Sequence, residues 1–213
     1  MYVPHWFKVD RLDVLQDTIN KISFGTIITS GSRGIMASHV PMLIDPSRGH
    51  LGMLFGHLAR GNPQWKETFP ESEGLAIFIG PNAYITPNWY FTKKETGRVV
   101  PTWNYISVQV RGTMTFIEDH DKVLDIVTRL INHHEQFSVI PWKVDDAPPD
   151  YIDEELNSIV GFEMKVSNIE GMRKLSQNKD KKDIEGVRIG LIKRGKLYDK
   201  LVAEEMGDQK PKE

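Results

Sequence analysis

The spacing of apolar and polar positions changes several times along the chain, and each change predicts an element. Leu12, Leu15, Ile19 and Ile22 recur at helical spacing, which predicts a first helix over 10–22 with Asp10 as its N-cap. FGTIIT (24–29) turns to β-branched, strand-like composition. SGSRG (30–34) and DPSRG (45–49) are turns, and they bracket a second strand over 35–44. Pro41 restricts that strand to an edge or a bulge, because it lacks a ladder donor. HLGMLFGHL (50–58) is a third strand, so an antiparallel meander is expected here. GHLARGNPQWKE (56–67) is expected to leave the strand and open a short helix. LAIFIG (75–80) is a compact buried strand, the strand-like run AYITPNWY (83–90) follows a Gly-Pro turn, and 92–98 is a polar loop. The long segment 102–118 alternates through Tyr105, Ser107, Gln109 and Arg111, as a strand with one polar face does. Residues 119–137 form a second amphipathic helix, 152–158 a short one, and 159–170 a final strand.

Seven strand-like runs with interspersed helices predict a mainly β, α+β chain: a β-barrel with helices at its ends. A parallel sheet would require strict alternation of strand and helix, which is absent. No repeat or low-complexity linker divides the sequence. A core domain over 1–190 is expected, followed by a charged, partly helical extension over 191–213 that ends in a frayed tail, GDQKPKE.

Composition narrows the function classes. The chain has 213 residues, 39% hydrophobic and 26% charged, enough apolar material for a sizeable core. It has no cysteine, which excludes disulfides, thiolate metal sites and cysteine nucleophiles. No apolar run is long enough for a membrane span, and MYVPHWFKVD lacks a signal-peptide layout. A cytoplasmic protein is expected. The formal net charge of −2 lacks the cationic excess typical of DNA-backbone binders. The basic clusters KDKKD (179–183) and KRGK (193–196) read as solvated surface.

Four stretches could carry chemistry. His57 and Arg60 stand at the expected start of a helix, where free N–H groups and an arginine fork suit an anion; a capping His beside a surface Arg answers as well. Ser38 and His39 interrupt an apolar strand, either against a flat heterocycle or facing solvent. Trp103, Asn104 and Tyr105 could line a ring-binding cleft, an oligomer interface or the core. RKLSQNK (173–179) could contact phosphate or a partner, or be a solvated loop. His133 and His134 point about 100° apart on a helix and make no two-ligand face, so no metal is expected. Neither glycine-rich nucleotide fingerprint is present.

MYVPHWF, SFGTIIT, ASHVPMLID, LFGHLARGNPQW, AIFIGPNAYITPNWY, VPTWNYISVQVRG, IVGFEMKV and RKLSQN occur in this order. Together, over roughly residues 1–190, they resemble the PaiB-type, FMN-binding family described as negative transcriptional regulators. The resemblance implies a split β-barrel related to the pyridoxamine-phosphate-oxidase-like flavoproteins, homodimeric, with FMN in clefts between subunits. It implies that Ala37, Ser38, His39 and Val40 lie along the flavin ring. His57, Leu58 and Arg60 would hold the phosphate, with Asn62 closing the turn. Trp103, Asn104 and Tyr105 would reach the cofactor from the facing subunit, joined by Lys174, Ser176 and Gln177. The oxidase relatives grip phosphate with a Ser/Thr-x-Lys type motif, and here the matching stretch offers His57 and Arg60. Three functions remain open: a flavin-binding repressor, with DNA an open partner that the charge does not favour; an FMN-dependent oxidoreductase on a small molecule; and a haem-binding or cofactor-free interaction module.

Overall fold

The computed structural model describes residues 1–70 and 72–207. The strands are β1 (Lys8–Val9), β2 (Phe24–Gly31), β3 (Gly34–Asp45), β4 (Met53–Ala59), β5 (Glu73–Ile85), β6 (Thr102–Ile117) and β7 (Ile159–Lys174). The helices are α1 (Leu12–Ile22), α2 (Gln64–Glu67), α3 (Thr92–Thr96), α4 (His120–Glu135), α5 (Pro149–Asn157), α6 (Lys181–Arg194) and α7 (Leu197–Gly207). The strands pair in the order β1-β7-β4-β3-β2-β5-β6, and β6 also pairs with β7. The pairings therefore return on themselves, the connectivity of a barrel, with β1 appended to β7. Among the described residues no helix is long and apolar enough to cross a membrane.

The chain forms two compact units. One comprises Arg11–Phe78 and Gln109–Ile169; the other comprises Met1–Asp10, Ile79–Val108 and the residues from Glu170 onward. In the first unit the expected meander is present: β2 pairs antiparallel with β3, and β3 with β4. Pro41 is nonetheless not on an edge strand. It faces Phe24 in the last pair of the β2 ladder, and the β4 ladder begins at Met42. The missing N–H thus falls where β3 changes partner, and Met42 N donates to Ser23 O at 2.7 Å. Helix α4 packs Ile126 and Leu130 on Leu43 and Phe55. Its Asp119 cap accepts from Lys122 N. Arg129 lies 4.1 Å over the Phe55 ring and donates to Asp45 at 2.5 Å.

The second unit is built around Ala83, Ile85, Ile106, Leu175, Val187, Leu191, Val202 and Met206. α6 presents Gly186, Gly190 and Arg194 in one stripe. A side chain at Gly190 would collide with the Trp89 ring, and the Arg194 guanidinium lies 4.8 Å over that ring. Arg194 also holds Asp199 bidentately, at 2.7 and 2.6 Å. The segment expected as a charged extension therefore supplies core: Val202, Ala203 and Met206 of α7 are buried. The tail expected beyond Gly207 lies outside the described residues.

Other expectations change at particular residues. The strand foreseen at 75–80 continues as β5 through Gly80 and Pro81 to Ile85, and Pro87–Trp89 of the 83–90 run form a 3-10 turn. α1 begins at Leu12 rather than at an Asp10 cap. The helix foreseen in 56–67 is confined to Gln64–Glu67, because Leu54, Gly56 and Leu58 alternate into the interior as strand residues do.

Candidate functional site

In the first unit, strand alternation sorts the predicted flavin segment. The register places His39 opposite Thr26 and Ala37 opposite Ile28, and it places Thr26 opposite Ile77 and Ile28 opposite Leu75. These side chains share one face, and the buried Ile27, Val40 and Ala76 take the other. The outer face is a shelf of apolar and small residues with one polar pair at its centre: Thr26 Oγ1 and His39 Nδ1, 2.9 Å apart. Ala37 and His39 are exposed on it. Ser38 and Val40 turn inward, so from these two residues only the backbone lies along the strand's surface.

Ser38 belongs instead to a buried polar network. Its hydroxyl donates to Gln64 Oε1 at 2.6 Å, and Asn62 Nδ2 donates to it at 2.7 Å. Gln64 N donates to Asn62 Oδ1 at 2.9 Å, and Gln64 Nε2 reaches Ile27 O and Thr29 Oγ1 at 3.3 and 3.1 Å. Asn62 thus lies in the turn after β4 with both ends of its amide engaged, Oδ1 by Gln64 N and Nδ2 by Ser38. Gln64 is the hub of the network and was not foreseen; its buried amide satisfies four groups distant in sequence.

The two residues expected at a helix start are placed otherwise. His57 lies within β4, opposite Gly161. Its Nδ1 is buried and has no hydrogen-bond partner among the described residues. Burial holds the imidazole below its usual pKa. Leu58 is buried and offers only backbone. Arg60 follows β4, and its guanidinium closes a tether: Nε donates to Asn157 O at 2.7 Å, Nη2 to Ile159 O at 3.1 Å, and Nη1 to Glu118 at 2.8 Å. The fork expected at a helix start is thus largely engaged within the fold. Three of its five donors are engaged, and the anion-binding helix terminus is absent because the strand continues through Ala59.

The remaining predicted residues lie in the second unit. Asn104 and Ser176 are buried and bond each other, Nδ2 to Oγ at 3.0 Å. Ser176 adopts a left-handed φ of 69°. Gln177 accepts from Leu175 N at 2.7 Å and donates to Arg173 O. Ser176 and Gln177 fix the turn after β7, and Asn104 of β6 bonds to it. Lys174 donates to Thr102 Oγ1 at 2.6 Å, and partial burial lowers its pKa. Tyr105 OH reaches Met172 Sδ at 3.9 Å. Trp103 is half-exposed and meets Tyr84 edge-to-face at 6.2 Å. Both rings line a groove of about 450 Å³ with Arg194, Lys196 and Tyr198. The predicted set thus divides into two groups, one in each unit.

Residues 1–168 match the family model described as "Putative FMN-binding domain". The chain belongs to this family. The family's match takes in the whole β3–β4–α2 region just described. Across its full length the chain is 34% identical to "Protease synthase and sporulation protein PAI 2" of Bacillus subtilis, over 214 residues and all of both chains, which agrees with the PaiB-type resemblance. Among solved structures, the flavocytochrome Anf3 of Azotobacter vinelandii superposes with a TM-score of 0.61 at 9% identity, covering 85% of this chain and 76% of that one. The FAD and heme binding protein of Mycobacterium smegmatis gives 0.58 at 12%, covering 89% and 80%. At these identities the structures show the split-barrel fold, the mainly antiparallel seven-stranded architecture with flanking helices.

Proposed function

We propose that this is a cytoplasmic, homodimeric flavoprotein that holds FMN with its ring along β3, over Ala37 and His39. The observation that carries this reading is the outer shelf of β2, β3 and β5. Ala37 leaves room for a plane, Ile28 and Ile77 give it an apolar bed, and the Thr26–His39 pair stands at its polar edge. The chemistry of the donors fits. His39 presents a second ring nitrogen beyond its bond to Thr26, and the backbone of a strand offers amide and carbonyl groups to the edge of a heterocycle. His57 Nδ1, without a partner among the described residues, supports a polar occupant nearby, since an unsatisfied buried nitrogen costs about 1–3 kcal/mol. Arg60 retains two guanidinium hydrogens beyond the three engaged, and these would meet the phosphate with Asn62 fixing the turn.

Bound FMN supplies two-electron redox chemistry; the protein supplies orientation and exclusion of water. Ser38, Asn62 and Gln64 hold β3 and the turn after β4 in one arrangement, so the shelf is formed before a ligand arrives.

Flavin fluorescence measures the reading directly. Titration of FMN with the purified protein is expected to quench it to saturation, and riboflavin, lacking the phosphate, to bind at least tenfold more weakly. Ala37→Trp fills the shelf at an exposed position and is expected to abolish binding without lowering Tm. Unchanged FMN affinity in that variant overturns the placement.

A further inference from the structure

The groove of Tyr84, Trp103, Arg194, Lys196 and Tyr198 lies wholly within the second unit, and the flavin reading of the β2–β3–β5 shelf draws on none of these side chains. β5 gives it Tyr84 and β6 gives it Trp103, 41% and 53% exposed; α7 gives it Tyr198, 54% exposed. Three aromatic rings thus keep much of their surface open in one concavity of about 450 Å³, a size suited to a small molecule. The wall behind them is fixed. Arg194 stacks on Trp89, holds Asp199 bidentately and donates from Nη2 to Tyr84 O at 2.9 Å, so it ties α6 and α7 to β5. Gly195 ends α6 with a left-handed φ of 71°, and Lys196 N donates to Asp199 Oδ2 at 3.3 Å. The backbone of Lys196 is therefore held at the groove, while its ammonium makes no hydrogen bond or ion pair with the described residues.

We propose that this groove is a second ligand site, which takes a flat aromatic acid: one or two fused rings carrying a single carboxylate. The ring packs among Trp103, Tyr84 and Tyr198, where offset or edge-to-face contact accepts any planar π-system. The carboxylate pairs with the Lys196 ammonium. Charge selects this class. Arg194 and Asp199 neutralise each other, so Lys196 is the one surplus cation among the lining residues, and a monoanion balances it. A dianion exceeds that balance, and an amine is repelled by it. Trp103 Nε1 and the hydroxyls of Tyr84 and Tyr198 have no hydrogen-bond partner among the described residues, and each can donate to a carboxylate oxygen. The KRGK cluster (193–196) is thus more than solvated surface: its last residue sets the sign of the ligand.

Nitrogen-15 NMR of the full-length protein tests the site, because Trp103 carries its own indole N–H, which Trp103→Phe identifies. Indole-3-acetate is expected to shift that peak saturably, with Kd of about 1 mM or below, as suits a ligand of its size. Indole, lacking the carboxylate, is expected to bind about threefold to fivefold more weakly, the worth of one exposed ion pair. Acetate and tryptamine are expected to leave the peak in place. Lys196→Glu, at an exposed position, is expected to reverse the order and favour tryptamine over indole-3-acetate. Should a glutamate beside Asp199 disturb the turn, Lys196→Gln takes its place and is expected to bind indole and indole-3-acetate equally. No saturable shift up to about 10 mM, equal wild-type affinity for indole and indole-3-acetate, or a Lys196 variant that still prefers the acid overturns the proposal. So does a Trp103 peak that moves on dilution alone, which would give the groove to a second copy. Displacement of indole-3-acetate by FMN would place Trp103 in the flavin site and overturn a separate groove. Binding of indole-3-acetate by a protein that ignores FMN overturns the flavin reading and leaves the groove standing.

Discussion

His57 shows how much a single side chain can depend on its strand. Its ring is largely buried, Nδ1 has no partner among the described residues, and burial lowers its pKa. The unfolded chain binds a proton near the ordinary histidine value of about 6.5. Above that pH both states are neutral and the shift contributes nothing. Below it the unfolded chain takes up a proton that the folded imidazole resists. Stability therefore falls as pH drops from about 6.5 toward the folded value, and then levels. Urea melts at about pH 7.5 and about pH 5.5 should show a larger loss for wild type than for His57→Gln; equal losses would remove His57 as the cause. At this scale the sequence was a partial guide. Ser38 and His39 stand out because they interrupt an apolar strand, and the period of two already sends them to opposite faces. The roles of Arg60 and Gln64 were not legible, because their partners are Asn157, Ile159, Ile27 and Thr29, brought near only by the folded sheet.

The Arg60 tether joins elements: it fastens the end of β4 to the last carbonyl of α5 and the first of β7, with Arg60 N adding a bond to Ser158 O at 2.8 Å. Arg60→Ala is expected to lower the stability of the FMN-free protein by about 1–3 kcal/mol, measured by urea unfolding, because it leaves two carbonyls without their charged donor. A variant as stable as wild type would show the tether to be incidental and return Arg60 to a purely ligand-binding role. Element types were legible where one period persisted, as in α4 and in the meander. They were not where local rules met tertiary ones. Pro41 signals an edge, yet a change of ladder partner accommodates it within an interior strand. α6 has the short apolar stripe Ile184, Val187 and Leu191, but beside it Gly186 and Gly190 make room for Trp89, so part of its packing is encoded by missing side chains. α7 hides three apolar core residues among acids and a single lysine.

Across the whole molecule, 27 cations against 29 acids give no surplus for a phosphate backbone. A gel-shift series is therefore expected to show no retention of duplex DNA at about 150 mM salt and no linear fall of log affinity with log salt. A steep salt slope would contradict this and support direct repression. The family and the barrel were legible in the ordered motifs; the division into two units was not, because β5, β6 and β7 each carry sequence of both without a linker between them. The same pairing order sets a timetable for biosynthesis. β4 must wait for β7, with Leu54 opposite Met164, and β1 waits longer, with Lys8 opposite Met172. At about 5–20 residues per second, β1 leaves the ribosome roughly 10–30 seconds before β7, its neighbour in the sheet, exists. During that interval β4 has an open edge, available to any other strand in the cell. A translational pause before residue 159 would prolong that exposure, and nascent chains halted there are the ones most in need of a chaperone.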